Sequence, residues 1–368
     1  MSLPRTPPTG ETVNARPWRG LGPPARVLAI RVQAMGDTVA AFPYVHALRR
    51  TLPDTELDFL THARYADLAR SVKLADHVFE LGGWGQRAQM LSALTLLPRL
   101  WTRAYDVVID LQRNRPSQLL RHLLRARAWS EFDRYSPVLG GERYRLTIEA
   151  TGLRVPDVYP DLELRDPEAG REKLLAAGWD GRADLVALNP GGLSGDRQWP
   201  IERYVAFARR FADGHARPTQ FLLLGLPKVA DKAAALRDRL GDRVIDLVGA
   251  TSLSEIAALV KRTILMVSED AGLLHVAWVL GVPSVGLFGA SRAVWARPHG
   301  NYGRLVLACA ETDGACMDGR CRKGPPACLH LLAAERVHRA ALEALRPPEG
   351  GKALARGGRP CLVDLAEP

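Results

Sequence analysis

The sequence predicts an α/β protein built from two doubly wound domains in tandem, with a cleft between them. Three observations predict it. Short apolar runs of strand type alternate with segments carrying apolar residues every three or four positions, along nearly the whole chain. Glycine-rich or carboxylate-bearing loops follow several of the runs, where open parallel sheets bind their ligands. The length of 368 residues corresponds to roughly two domains at about 150 residues each.

The elements follow in order. Residues 1–25 are rich in Pro, Gly and Arg and read as a flexible leader. The first domain is expected over 26–165. Val27–Ile30 is a buried-type strand, and Thr38–Arg50 carries Val39, Phe42, Val45 and Leu48 at helical spacing. Strand and helix then alternate at 56–60, 63–70, 77–81, 86–101, 106–111 and 116–127, the last helix being arginine-rich. A looser stretch, 156–184, contains several prolines and glycines. The second domain, 183–345, repeats the alternation: strands at 185–189, 220–224, 244–247, 264–268 and 284–288, and helices at 201–211, 229–240, 253–261, 272–280 and 333–345. Residues 346–368 read as a flexible tail. Alternating strands and helices imply parallel sheets covered on both faces.

Composition excludes several classes. The chain is 47% hydrophobic, too much for a disordered chain. No apolar run approaches the ~18 residues of a membrane span. The N-terminus lacks an apolar h-region, so export is not expected. The net charge is +10, and 43 of the 50 basic residues are arginine. Residues 81–130 hold eight arginines and two acids. Such a segment suits an anionic partner, or is simply a solvated face.

Four loops are candidates for chemistry. In Arg31-Val-Gln-Ala-Met-Gly36-Asp37-Thr38, Gly36 allows close backbone approach or positive φ. Asp37 is either a helix cap or a general base at a cleft mouth. In Asn189-Pro-Gly191-Gly192-Leu-Ser-Gly-Asp-Arg197-Gln-Trp-Pro, backbone N–H groups and one arginine compose a phosphate cradle, the alternative being an ordinary glycine turn. In Ser268-Glu-Asp270-Ala-Gly272-Leu273-Leu-His275, two carboxylates end a strand where a helix begins. Its N–H groups suit an anion, while Asp270 suits sugar hydroxyls. The fourth is a cysteine-rich loop, 309–328: Cys309, Cys316, Cys321 and Cys328. These are either ligands of a structural zinc or iron, or free or redox-active thiols. No G-x-G-x-x-G dinucleotide fingerprint is present.

Together the segments 26–50, 105–117, 188–204 and 247–291 resemble glycosyltransferase family 9, the heptosyltransferases of the lipopolysaccharide core. The resemblance spans about 26–345. It implies the GT-B architecture: two Rossmann-like domains, the N-terminal one facing the acceptor and the C-terminal one holding the donor. It implies inverting transfer of a heptose from an ADP-activated donor to a lipopolysaccharide-core or similar glycan, with no catalytic metal. Carried over, Asp37 is the general base. Gly36, Gly191, Gly192, Arg197, Thr251, Ser252, Asp270, Gly272, Leu273 and His275 bind the donor. Arg113 and Arg115 are candidate acceptor contacts. The implied partners are an ADP-sugar and an anionic glycolipid or glycan. The implied location is the cytoplasm, with peripheral association at the inner face of the inner membrane.

There are departures from the family pattern. Arg197 stands where lysine is common. Ala271 lacks a hydroxyl often found there. The acidic residue that commonly follows the glycine matching Gly225 is missing from Gly-Leu-Pro-Lys-Val-Ala-Asp231. Two competing readings remain: a GT-B transferase or epimerase using UDP- or GDP-sugars, and a basic nucleic-acid-binding protein with a four-cysteine metal site. The second leaves the glycine loops at the strand ends unexplained, so no nucleic-acid partner is expected.

Overall fold

The computed structural model describes residues 13–132, 140–156, 158–159, 162–192, 197–289, 303–307 and 328–346. The chain divides into two compact units, Met1–Val158 and Tyr159–Pro368.

The first unit is built on a six-stranded sheet. Its strands are β1 (Ala15–Arg16), β2 (Arg26–Ile30), β3 (Glu56–His62), β4 (His77–Leu81), β5 (Val107–Asp110) and β6 (Ala128–Glu131). Their spatial order is β1-β6-β5-β2-β3-β4. All neighbours are parallel except the β1–β6 pair. Val27 to Ile30 are completely buried, as expected of a central parallel strand covered on both faces. Leu28, Ile30, Leu60 and Val108 pack with Ala93, Leu96, Leu97 and Leu100 of α3 (Gly85–Trp101) and Leu120 of α4 (Arg115–Leu124). Phe59, adjacent to Leu60 and so directed to the other face, meets Phe42 of α1 (Met35–Thr51) edge-on at 5.6 Å. Two shorter helices, α2 (Ala63–Ser71) and α5 (Gly140–Glu149), complete the unit.

Two expectations need correction here. Residues 13–25 are not a loose leader. Ala15 and Arg16 pair antiparallel with Ser130 and Trp129. The Trp18 N–H donates to the Thr151 carbonyl at 2.8 Å, and Thr55 Oγ1 donates to the Pro24 carbonyl at 2.7 Å. An open β6 edge would leave backbone groups unpaired, and two residues of leader pair with it. The arginine-rich helix also ends earlier than its periodicity suggests. Arg125 takes a left-handed backbone, φ 50°, which stops α4 and turns the chain into β6.

The second unit has an all-parallel sheet of β7 (Asp184–Asn189), β8 (Thr219–Leu223), β9 (Val244–Asp246), β10 (Leu265–Glu269), β11 (Ser284–Phe288) and β12 (Gly303–Leu307). Their order is β12-β11-β10-β7-β8-β9. After a short helix α6 (Arg171–Ala176), which lies in the stretch expected to be loose, come α7 (Ile201–Gly214), α8 (Ala230–Leu240), α9 (Leu253–Lys261) and α10 (Gly272–Val279). Phe207 and Phe211 of α7, Leu236 of α8 and Val337 of the final helix, Ala334–Ala344, form one core with Val186, Leu188, Phe221 and Val267. Each unit is thus Rossmann-like, an open and mainly parallel sheet wound in both directions and packed with helices.

Both sheets reverse their winding at one point. In the first unit successive strands run outward from β2 on one side and from β5 on the other; in the second, from β7 and β10. Loops leaving adjacent strands in opposite directions open a crevice at the carboxyl ends. Three of the four loops singled out by sequence, those at 31–38, 189–200 and 268–275, leave the strands at these two places.

Candidate active site

At the β2/β5 crevice, Asp37 is the third residue of α1 rather than its cap. Its Oδ2 lies 3.1 Å from an Arg31 nitrogen and accepts weakly from the Ala34 N–H at 3.4 Å. The carboxylate is 56% exposed, whereas the Arg31 side chain is 6% exposed. Arg31 is wedged against Phe132 and Tyr144, at 5.1 and 5.5 Å from the ring centroids, and donates to the Leu111 carbonyl. The Tyr144 hydroxyl donates to the Asp37 carbonyl at 2.9 Å. Gln112 Oε1 accepts from the Val32 and Gln33 N–H groups at 3.0 and 2.8 Å. The loop is therefore held from both sides while its one carboxylate faces solvent. Gly36 sits in the first turn of α1 without positive φ.

The adjoining loop after β5 is organised by Asp110. This carboxylate is buried and accepts from the N–H groups of Gln112 and Arg113 at 3.0 and 2.8 Å and from Ser117 Oγ at 2.9 Å. Burial pushes its pKa up to about 6, against the pull of those donors and of Arg121. Arg113 and Arg115 separate here. Arg113 leans toward Glu131, 3.6 Å away, while Arg115 is exposed at the start of α4.

At the β7/β10 crevice the two predicted loops meet. Arg197 and Asp270 approach to 3.7 Å, with side chains 21% and 15% exposed. Asp270 leads into α10, whose N-terminus has no side-chain cap. Gly272 is half-buried, and Leu273 and His275 are buried in the first turns. An uncapped helix start beside a guanidinium is suited to an anion. The two glycines are required by packing rather than by φ. A Cβ at Gly192 would stand 2.3 Å from the Arg197 carbonyl oxygen, and one at Gly191 would stand 2.6 Å from Asn189 Oδ1.

The cradle expected at Gly192 needs correction. Its N–H is already donated to Glu269 Oε2 at 2.6 Å, and the Trp199 N–H to Glu269 Oε1 at 2.6 Å. Glu269, fully buried at the end of β10, thus fastens both ends of the glycine loop. Burial pushes its carboxyl above the ordinary range, opposed by Lys232 and the two N–H donors. Lys232 of α8 donates to the Pro190 carbonyl at 3.0 Å, its ammonium lowered by burial and by Lys228. Sequence reasoning noted Glu269 only as one of two carboxylates ending a strand, without its role as fastener, and missed Lys232, whose one signal was being a rare lysine in an arginine-rich chain.

Thr251 and Ser252 follow β9. Ser252 is the cap of α9: its Oγ accepts from the Glu255 N–H at 3.2 Å, and Glu255 returns a bond to the Ser252 N–H at 2.7 Å. Thr251 Oγ1 is buried with no partner among the described residues. The loop after β8 is tied to this one by the Gly249 N–H donating to the Gly225 carbonyl at 2.9 Å. Asp231, near the missing acidic position, is exposed at the start of α8.

Cys309, Cys316 and Cys321 lie outside the described residues, as do the side chain of Cys328 and the 346–368 tail beyond Arg346. Among the described residues one trio has metal-ligand spacing, Glu56, Asp58 and His77. Its charge is met internally: Arg26 contacts Glu56 at 2.9 Å, and Arg103 contacts both carboxylates. No described helix is long and apolar enough to cross a membrane.

Several known proteins are similar to this chain, and their folds together with its two sheets give it the GT-B architecture. The chain is 21% identical over 315 residues to the lipopolysaccharide core heptosyltransferase OpsX of Haemophilus influenzae, covering 78% of this chain and 86% of that one. The family 9 glycosyl transferase of Veillonella parvula superposes with a TM-score of 0.74 at 18% identity, over 87% of this chain and 97% of that one. The Escherichia coli heptosyltransferase WaaC, solved with ADP-2-deoxy-2-fluoro heptose, superposes at 0.60 and 18% identity, over 85% and 98%. The family model of glycosyltransferase family 9 (heptosyltransferase) matches residues 94–326, more than half of the chain, which therefore belongs to that family and is a glycosyltransferase.

Proposed function

We propose that this enzyme transfers a heptose from an ADP-activated donor to a lipopolysaccharide-core or similar glycan, with inversion and with Asp37 as general base. The observation that carries the reading is the meeting of Arg197 and Asp270 beside the uncapped start of α10, at the switch point of the second sheet. An anion site and a hydroxyl acceptor side by side suit a sugar nucleotide. The diphosphate takes the guanidinium and the N–H groups at Gly272 and Leu273, and Asp270 accepts from sugar hydroxyls. Thr251, whose hydroxyl lacks a partner among the described residues, is the better nucleoside contact, because Ser252 is engaged as a cap. His275 and Gly191 line the same crevice. The second unit thus serves the donor and the first the acceptor, with Arg115 as the more available of the two acceptor arginines.

In the reaction, Asp37 takes the proton of an acceptor hydroxyl. That oxygen bonds to the anomeric carbon as the carbon–phosphate oxygen bond breaks and ADP departs with the electron pair. The transition state has oxocarbenium character, as in inverting glycoside hydrolysis. Charge growing on the leaving diphosphate is met by Arg197 and the α10 N-terminus, which supply electrostatic stabilisation without reorganising. This route asks for no catalytic cofactor. The acceptor would be met in the cytoplasm, at the inner face of the inner membrane. A structural zinc or iron at the four clustered cysteines remains part of the proposal, and metal analysis of the purified chain tests it.

Calorimetric titration with ADP-heptose and with UDP- and GDP-sugars tests the donor. Tightest binding of ADP-heptose, with a product of opposite anomeric configuration, is the expected result. Preference for another nucleotide overturns the donor assignment. Nucleotide release with an epimerised sugar and no acceptor overturns the transfer.

A further inference from the structure

We propose that α3 is a membrane-surface helix, docking the first unit on an anionic lipid bilayer through exposed Leu91, Leu94 and Trp101 set among arginines. The helix buries one face, Ala93, Leu96, Leu97 and Leu100, against the sheet. Its other face carries Arg87, Leu91, Leu94, Pro98 and Trp101, all exposed, at a spacing that makes one row along a helix. Leu91 is 66% exposed, Leu94 48% and Trp101 53%; Trp84, capping the helix, is 73% exposed. These are four of the nine exposed large hydrophobic side chains of the described residues, gathered on one helix and its cap. Such clustering marks an interaction site.

The charge decides what covers it. From Leu81 to Tyr105 the chain has no acid and three arginines, of which Arg87 and Arg99 are exposed while Arg103 is paired with Glu56 and Asp58. The bordering acids are engaged: exposed Glu80 pairs with Arg70, Asp106 accepts from the Ala25 and Arg26 N–H groups, and Asp110 is held by its own loop. Exposed Arg115, Arg125 and Arg127 continue the cationic surface around α4. The Arg64 guanidinium lies 4.4 Å from the Trp84 ring centroid. The Trp101 indole N–H donates to the Leu123 carbonyl at 3.0 Å, which holds the ring between α3 and α4. Leucines flanked by indoles and arginines are what an interfacial helix presents: the apolar row enters the headgroup boundary, indoles sit at that level and guanidiniums meet lipid phosphates. A second copy of the same face would set arginine against arginine. The inference uses neither the donor nor the acceptor of the proposed reaction.

The test is co-flotation of the full chain with vesicles of phosphatidylglycerol and phosphatidylethanolamine, against vesicles of phosphatidylcholine alone. The expected result is at least about tenfold preference for the anionic vesicles, falling as salt screens the arginines. The double variant L91E/L94E should lose about tenfold or more of that binding, with circular dichroism, melting temperature and ADP affinity unchanged. R87Q/R99Q should reduce the anionic preference while leaving the fold intact. Absence of preferential binding, or equal binding by L91E/L94E, overturns the proposal. So does a dimer that L91E/L94E dissociates without any lipid affinity, since the face is then a subunit contact. The vesicles contain no glycan, so failure here leaves the enzymatic reading standing.

Discussion

Glu269→Gln separates the scaffold of the donor site from its contacts. The wild-type carboxylate accepts two backbone N–H groups at 2.6 Å, from Gly192 and Trp199. Glutamine keeps one oxygen, so one of those bonds survives as a neutral one. The other N–H then faces an amide NH2, donor against donor. A hydrogen bond to a charged group is worth about 1.5–3 kcal/mol, and an unsatisfied buried donor costs about as much as the lost bond. The variant is therefore expected to be about 2–4 kcal/mol less stable. Removing the negative charge also leaves the half-buried Lys232 without its nearby counter-charge, which adds to the loss. Chemical denaturation gives the stability and calorimetry the ADP affinity. Arg197 lies between the two fastened residues, so loosening the loop should weaken ADP binding about tenfold, while kcat at saturating donor falls less. Lowered stability with wild-type ADP affinity would show that Glu269 supports the fold but does not place Arg197. Wild-type stability would refute the energetic reasoning itself.

Three further predictions follow from the same geometry. Asp37→Asn keeps the side-chain shape and removes the base, so turnover should fall about 10²–10⁴-fold with ADP affinity unchanged; near-normal turnover in a steady-state assay excludes Asp37. Arg197→Ala should weaken ADP binding by about 1.5–3 kcal/mol, with Arg197→Lys intermediate, because lysine keeps the charge and loses the fork; calorimetry reads both. Asp110 holds its proton to about pH 6 in the folded chain, against about 3.9 when unfolded. Between these values the native state binds more protons, so this group's contribution is full below the unfolded value and is lost as pH rises through the folded one. The shift corresponds to about 3 kcal/mol. The stability of Asp110→Asn relative to wild type should therefore improve by up to that amount from pH 3.5 to 7, and a pH-independent difference contradicts the assignment.

The parts legible in the sequence were those set by local pattern. Val27–Ile30 and Leu185–Asn189 are apolar runs too short for helices and too continuous for half-exposed strands, and both are central strands. Ser252 with Glu255 three residues on is a capping box visible in sequence and present in the structure. Less legible were β1, β12 and α5. Two residues of Pro/Gly-rich leader carry no periodicity, and their pairing depends on β6 having a free edge. Arg113 and Arg115 look equivalent in sequence. Only folding directs one toward Glu131 and leaves the other in solvent.

By itself the sequence determined the α/β class, the alternation that makes the sheets parallel, and the loops able to carry chemistry. It did so because burial on both faces, helical periodicity and glycine placement are local constraints read from a few neighbouring residues. Tertiary structure alone decided what those loops do to one another. The strand order sets β7 beside β10, and so brings residues seventy positions apart to the same crevice. There a buried Glu269 takes the N–H that Gly192 would otherwise offer to phosphate, and Arg197 comes to face Asp270. Hydrogen bonds and charge pairs act over a few ångströms in space, and sequence separation does not measure that distance.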